Sequence, residues 1–69
     1  MKSVSGKALA RLVERHGWKL LRVHGRHRIY GRTGSRMRLS IPVHGNKPLK
    51  NGLLNHLLKQ AGLDDIDPS

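Results

Sequence analysis

Two rhythms of apolar and polar residues divide the chain. Near its start, Ala8, Leu9, Leu12, Val13 and His16 recur at the spacing of one stripe on a helix. Ser5 ahead of them is an N-cap type, able to accept from a free first-turn amide. Val4 and Leu9 hold the two positions of a hydrophobic staple, and Gly17 is placed as a left-handed terminator. A first helix is predicted over Gly6 to His16, with His16 a last-turn residue favourable near the carbonyl end. A second stripe, Leu53, Leu54, Leu57, Leu58 and Ala61, predicts a helix from Lys50 to Ala61. Gly62 ends it, and Leu63 is placed to fold back on the last turn. Gly52 in its first turn weakens the helix by roughly 1 kcal/mol relative to Ala, which points to close approach by the loop or a ligand.

The middle of the chain has the other rhythm. Arg36 to Ile41 alternates strictly, with Arg36, Arg38 and Ser40 facing one way and Met37, Leu39 and Ile41 the other. That is the pattern of a half-buried strand, and Pro42 ends it because proline cannot donate to a ladder. Two further strands are predicted, Trp18 to His24 and His27 to Gly31, separated by Gly25-Arg26. A glycine followed by any residue suits the two-residue turn that needs a positive φ first. His24 and His27 then face each other across the ribbon, with Cβ atoms roughly 5 Å apart. Arg32-Thr33-Gly34-Ser35 is a turn cluster, and Val43 to Leu49 is a loop.

The order is α-β-β-β-α, an α+β domain. Both helices must bury a stripe, which places them on one face of a three-stranded antiparallel meander and leaves the other face open. The alternation leaves the register open. A four-residue second turn puts Met37, Leu39 and Ile41 with Tyr30, Leu21 and Val23, and His24, His27, Arg22, Arg36 and Arg38 opposite. Trp18, Leu20 and Ile29 are then stranded on the basic face. A three-residue turn moves those three into the core and points the histidines the same way, since a one-residue slip flips every side chain.

Charge sharpens this picture. Fourteen Lys and Arg face four Asp and Glu, a net +10. Before the acidic tail Asp64–Ser69, which is expected to fray, Glu14 is the only acid. So basic a body attracts polyanions, nucleic acid first. With only Trp18 and Tyr30 as aromatics, the composition argues against a single-strand binder that stacks base after base on rings. Sixty-nine residues make one domain, 1–69, with a core over about 5–63. No cysteine is present for a disulfide or thiolate site. Apolar runs are far too short for a membrane span or signal peptide, so a soluble cytoplasmic protein is expected.

Five segments carry a resemblance. They are Ser5-Gly6-Lys7 with Leu12 and Gly17-Trp18, Gly25-Arg26-His27, Ile41-Pro42-Val43-His44, Leu49-Lys50-Asn51-Gly52-Leu53-Leu54, and Leu57-Leu58-Lys59-Gln60-Ala61-Gly62-Leu63. The αβββα order is similar to the double-stranded-RNA-binding fold. In sequence and interval the segments resemble HicA-type toxins, the mRNA interferases of bacterial toxin–antitoxin modules. The resemblance implies a metal-independent mRNA endonuclease without a cofactor, His27 as its catalytic residue, and a HicB-type antitoxin as partner. Two residues depart from the family pattern: Arg26 stands where relatives carry serine, and Leu53 where they carry threonine.

The chemistry fits these residue types. A metal-free ribonuclease needs a base, an acid and cations around the phosphate, and imidazole ordinarily titrates near working pH. His27 is the first candidate, with His24 and His44 as possible catalytic support, although an exposed strand end and a loop cap are the simpler roles for those two. Arg22, Arg26, Arg28, Arg36 and Arg38 are the expected phosphate binders, because a guanidinium forks onto two oxygens. Gly25 holds the turn, and Lys7 and Lys50 near the helix starts could add RNA contacts. His56 reads as solvated. A zinc site from His24, His27 and His44 has no cysteine or acid to support it. The alternative function is a non-catalytic RNA-binding module that reads A-form shape.

Overall fold

The computed structural model describes residues 3–66, so the tail positions 67–69 lie outside the described residues. Five elements follow in order: α1 (Gly6–Arg15), β1 (Lys19–His24), β2 (His27–Gly31), β3 (Leu39–Pro42) and α2 (Asn51–Ala61). The strands form one antiparallel sheet in the order β1-β2-β3. The α+β reading of the alternation therefore stands.

Local signals explain most element ends. The Ser5 hydroxyl accepts from the Ala8 amide at 3.1 Å, and Val4 and Leu9 are both buried in the core. α1 stops one residue short of the sequence expectation, with His16 as its cap. The His16 Nδ1 lies 3.0 Å from the Leu12 carbonyl oxygen, the last-turn role expected of it. At the other end Gly62 adopts φ 76°, and the Leu63 amide reaches back to Leu58 O at 2.8 Å. Leu63 is buried, and Ile66, beyond a short turn, packs on the same core. The chain through Ile66 is thus tied down where fraying was expected.

β3 is shorter than its alternation suggested. It starts at Leu39 rather than Arg36, because the connection after Gly31 runs on through Arg38. Within that connection the Met37 amide bonds the Ser35 hydroxyl, and the Arg38 guanidinium bonds the Ser35 and Met37 carbonyls. Backbone and side chain satisfy one another locally there, an alternative to ladder pairing.

One apolar cluster joins Leu9, Ala10 and Val13 of α1, Leu54, Leu57, Leu58 and Ala61 of α2, and Tyr30, Leu39 and Ile41 of the sheet, with Trp18 beside them. The helices share one face of the sheet. Two buried polar groups find partners. The Trp18 indole N–H donates to Ala61 O at 3.4 Å, and the Tyr30 hydroxyl donates to Glu14 Oε2 at 2.5 Å. Burial first, and then the bond to Glu14, pushes the Tyr30 phenol above its ordinary range against the opposing pull of Arg28.

Register is settled by a β-bulge. Leu20 pairs with Tyr30, but Arg22 pairs with Ile29, which leaves Leu21 as an extra residue. Directly opposed residues share a face, so Leu20, Val23, Arg28, Tyr30, Leu39 and Ile41 face the helices. Lys19, Arg22, His24, His27, Ile29 and Ser40 face away. Neither simple turn length produces this partition. The extra residue in β1 changes its parity midway and brings Trp18 inside while keeping the histidines out. Ile29, half-buried, stays on the open face.

Candidate functional site

The hairpin between β1 and β2 has the expected geometry. Gly25 takes φ +61° and no non-glycine residue among the described residues has positive φ, so the turn has its left-handed residue first. His24 and His27 are paired across the ribbon. Both are exposed, on the face turned from the helices. Their other neighbours follow from register: Arg22 lies two residues before His24, and Pro42 of β3 lies opposite His27.

The end of β3 locks onto this hairpin. The Val43 amide donates to Arg26 O at 2.7 Å, and the next residue, His44, meets the turn. The Arg26 guanidinium donates through Nη1 to His44 Nδ1 at 2.9 Å. That bond requires an unprotonated Nδ1, which in a neutral imidazole leaves the proton on Nε2. Arg26, Val43, His44, Gly45 and Lys47 line one open depression beside the hairpin tip.

α1 fixes the loop from below. A Cβ built on Gly6 would stand 1.8 Å from the Pro42 carbonyl oxygen and 3.3 Å from Val43 Cα. Only glycine lets the helix start come this close. The loop then returns past the chain start, where Ser5 bridges Pro48 and the Leu49 amide bonds Val4 O at 2.7 Å.

The remaining candidates separate. Arg22 joins the histidines on the open face. Arg38 reaches that face near its far end, over Gly31 and Leu21. Arg36 is exposed in the β2–β3 connection, outside the sheet. Arg28 is half-buried on the helix side beside Tyr30, away from the histidine pair. Lys7 is exposed in the first turn of α1, whereas Lys50 caps α2 without a side-chain bond. His56 is exposed on α2. Among the described residues, nothing beyond its own helix turn lies within 4 Å of a Cβ built at Gly52, so the close approach of the loop expected there is absent. Among the described residues, no three of His, Cys, Asp and Glu gather as a metal site.

Sequence reading missed Lys47 and the role of Gly6. Nothing in a loop's alternation could mark Lys47. Gly6 did carry a signal, since a glycine inside a helix start weakens it and calls for a packing reason. Arg32 is not free for the open face, because its guanidinium lies 4.6 Å from the Trp18 ring centroid, within cation–π range.

Glu14 is engaged by Tyr30, and Asp64 and Asp65 follow α2. The open sheet face therefore carries no carboxylate among the described residues. Fold and site define a class: a small basic α+β domain whose open sheet face carries paired imidazoles beside a guanidinium group. Residues 6–63 match the family model described as HicA toxin of bacterial toxin-antitoxin. The chain belongs to that family, so it is a toxin whose counterpart is an antitoxin. A search of curated proteins found no match. No helix among the described residues is long and apolar enough to cross a membrane.

Proposed function

We propose that this toxin is a metal-independent mRNA endonuclease, acting in the cytoplasm, with His27 as its proton-transferring residue. The observation that carries the reading is an exposed His27 paired with His24 on a face that holds Arg22 and, among the described residues, no acid. One imidazole as base removes the proton from a 2′-hydroxyl. The oxygen attacks the adjacent phosphorus, the bond to the 5′-oxygen breaks, and an acid gives that oxygen a proton. The products are a 2′,3′-cyclic phosphate and a 5′-hydroxyl. His24 stands where a second proton-transfer group could work, and the arginines offset charge developing on the phosphate.

The antitoxin is proposed to be of HicB type. β1 supports a protein partner beside the site. It is an edge strand, every residue of it is exposed, and Leu20, Leu21 and Val23 are among the exposed large apolar residues of the chain. An apolar strand edge set among Lys19, Arg22 and His24 suits an acidic protein.

The test is incubation of wild type and His27→Ala with a defined RNA in chelator, followed by analysis of the ends. Cyclic-phosphate ends from wild type alone are expected. Equal cleavage by His27→Ala removes that residue from the mechanism. RNA binding without cleavage by wild type favours a non-catalytic RNA-binding module.

A further inference from the structure

The bond between Arg26 and His44 joins two residues that the chain separates by eighteen positions. It also assigns complementary roles to two basic side chains. The guanidinium is the donor, and the imidazole is an acceptor that holds it. A guanidinium has five donors in a fixed fork, and among the described residues only His44 takes one from the Arg26 side chain. The others stand over a depression that Lys47 also lines. Among the described residues no carboxylate lines it.

We infer that Arg26, His44 and Lys47 form a second phosphate subsite, for a backbone phosphodiester next to the one being cleaved. The inference rests on the nuclease reading for its place beside His27, but the subsite itself needs only RNA. Arg26 makes the phosphate contact. Lys47 adds a point charge from the loop, and the His44 Nε2–H adds a donor. His44 is then a positioning residue, and its Nδ1 works by accepting from Arg26 rather than by moving a proton. The geometry gives Arg26 a use that a serine at this position could not serve, because a serine hydroxyl carries no charge and is too short to span to the loop.

Two features pre-organise this subsite, and a third sets its place. The guanidinium is immobilised before any ligand arrives, so less freedom is lost on binding. The backbone bond from Val43 to Arg26 fixes the turn and loop against each other. Two of the residues lining the depression, Arg26 and Val43, directly adjoin His27 and its β3 partner Pro42 in the chain.

The test uses a fluorescent single-stranded RNA oligonucleotide and the full chain. Anisotropy measured over a range of salt reads binding without requiring cleavage. Arg26→Ala should weaken affinity about tenfold or more at low salt and reduce the salt slope by about 0.7, the loss of one single-strand phosphate contact. His44→Ala should weaken it in the same direction. His44→Asn, whose side-chain oxygen can replace Nδ1 as acceptor, should restore most of it. In cleavage assays Arg26→Ala should raise KM much more than it lowers kcat. Unchanged affinity and slope in Arg26→Ala overturns the subsite. A kcat abolished equally in His44→Asn and His44→Ala overturns the positioning role and makes His44 a proton-transfer group. If wild type binds but never cleaves, the nuclease reading fails while the binding measurements still decide the subsite.

Discussion

Gly6, the first residue of α1, packs its bare Cα against the carbonyl of Pro42, the residue opposite His27 in the sheet. The start of the first helix and the floor of the histidine hairpin are therefore one contact. Gly6→Ala places a methyl where backbone already lies, with no flexible side chain to yield. Overpacking of this kind costs about 1–3 kcal/mol and outweighs the gain of roughly 0.5–1 kcal/mol that alanine gives inside a helix. Denaturant unfolding should show a net loss of stability. A variant as stable as wild type would mean that helix and strand end can separate freely.

Tyr30 and Glu14 tie β2 to α1 across the core. Tyr30→Phe removes a bond to a charged acceptor, for an expected loss of about 1.5–3 kcal/mol at neutral pH.

The same phenol gives a pH dependence. Its folded pKa is raised above the phenol's ordinary value by burial and by the bond to Glu14, so the folded state holds the proton more tightly than the unfolded chain. That stabilisation is fully present below pH 10 and is lost as pH rises through the folded pKa. Unfolding midpoints measured from pH 8 to 11.5 should fall faster for wild type than for Tyr30→Phe. Parallel curves would show that Tyr30 does not titrate differently in the two states.

Two glycines should respond in opposite directions to alanine. Gly25 has open space around it but φ +61°, so Gly25→Ala strains the backbone by about 1–2 kcal/mol and disturbs the His24–His27 pairing. Gly52 sits in the helix with equally open space and no positive φ. Gly52→Ala should therefore stabilise by about 0.5–1 kcal/mol. Thermal melts of both variants check this, and a destabilised Gly52→Ala would reveal a packing constraint at that position.

The exposed edge offers a test of partner docking. Val23 is 60% exposed, so Val23→Asp should change stability by no more than about 0.5 kcal/mol. Its affinity for the antitoxin should fall severalfold or more in a titration of purified proteins. Unchanged affinity would place the interface away from β1.

The sequence by itself determined the element order, the helix caps, the turn at Gly25 and the facing of His24 and His27. All of these depend on neighbours a few residues apart, where periodicity and φ preferences act directly. It left unresolved which sheet face carries the histidines. Trp18 and Leu20 share one parity and Val23 the other, yet all three belong on the helix side.

Only the tertiary structure supplied the answer, the bulge at Leu21. A bulge changes parity by one residue and leaves no mark in an alternation that is already mixed. The bond from Arg26 to His44, the contact of Gly6 with Pro42 and the half-burial of Arg28 are likewise long-range outcomes. They depend on where packing of the two helices sets the end of β3. Residue spacing along the chain does not encode that position.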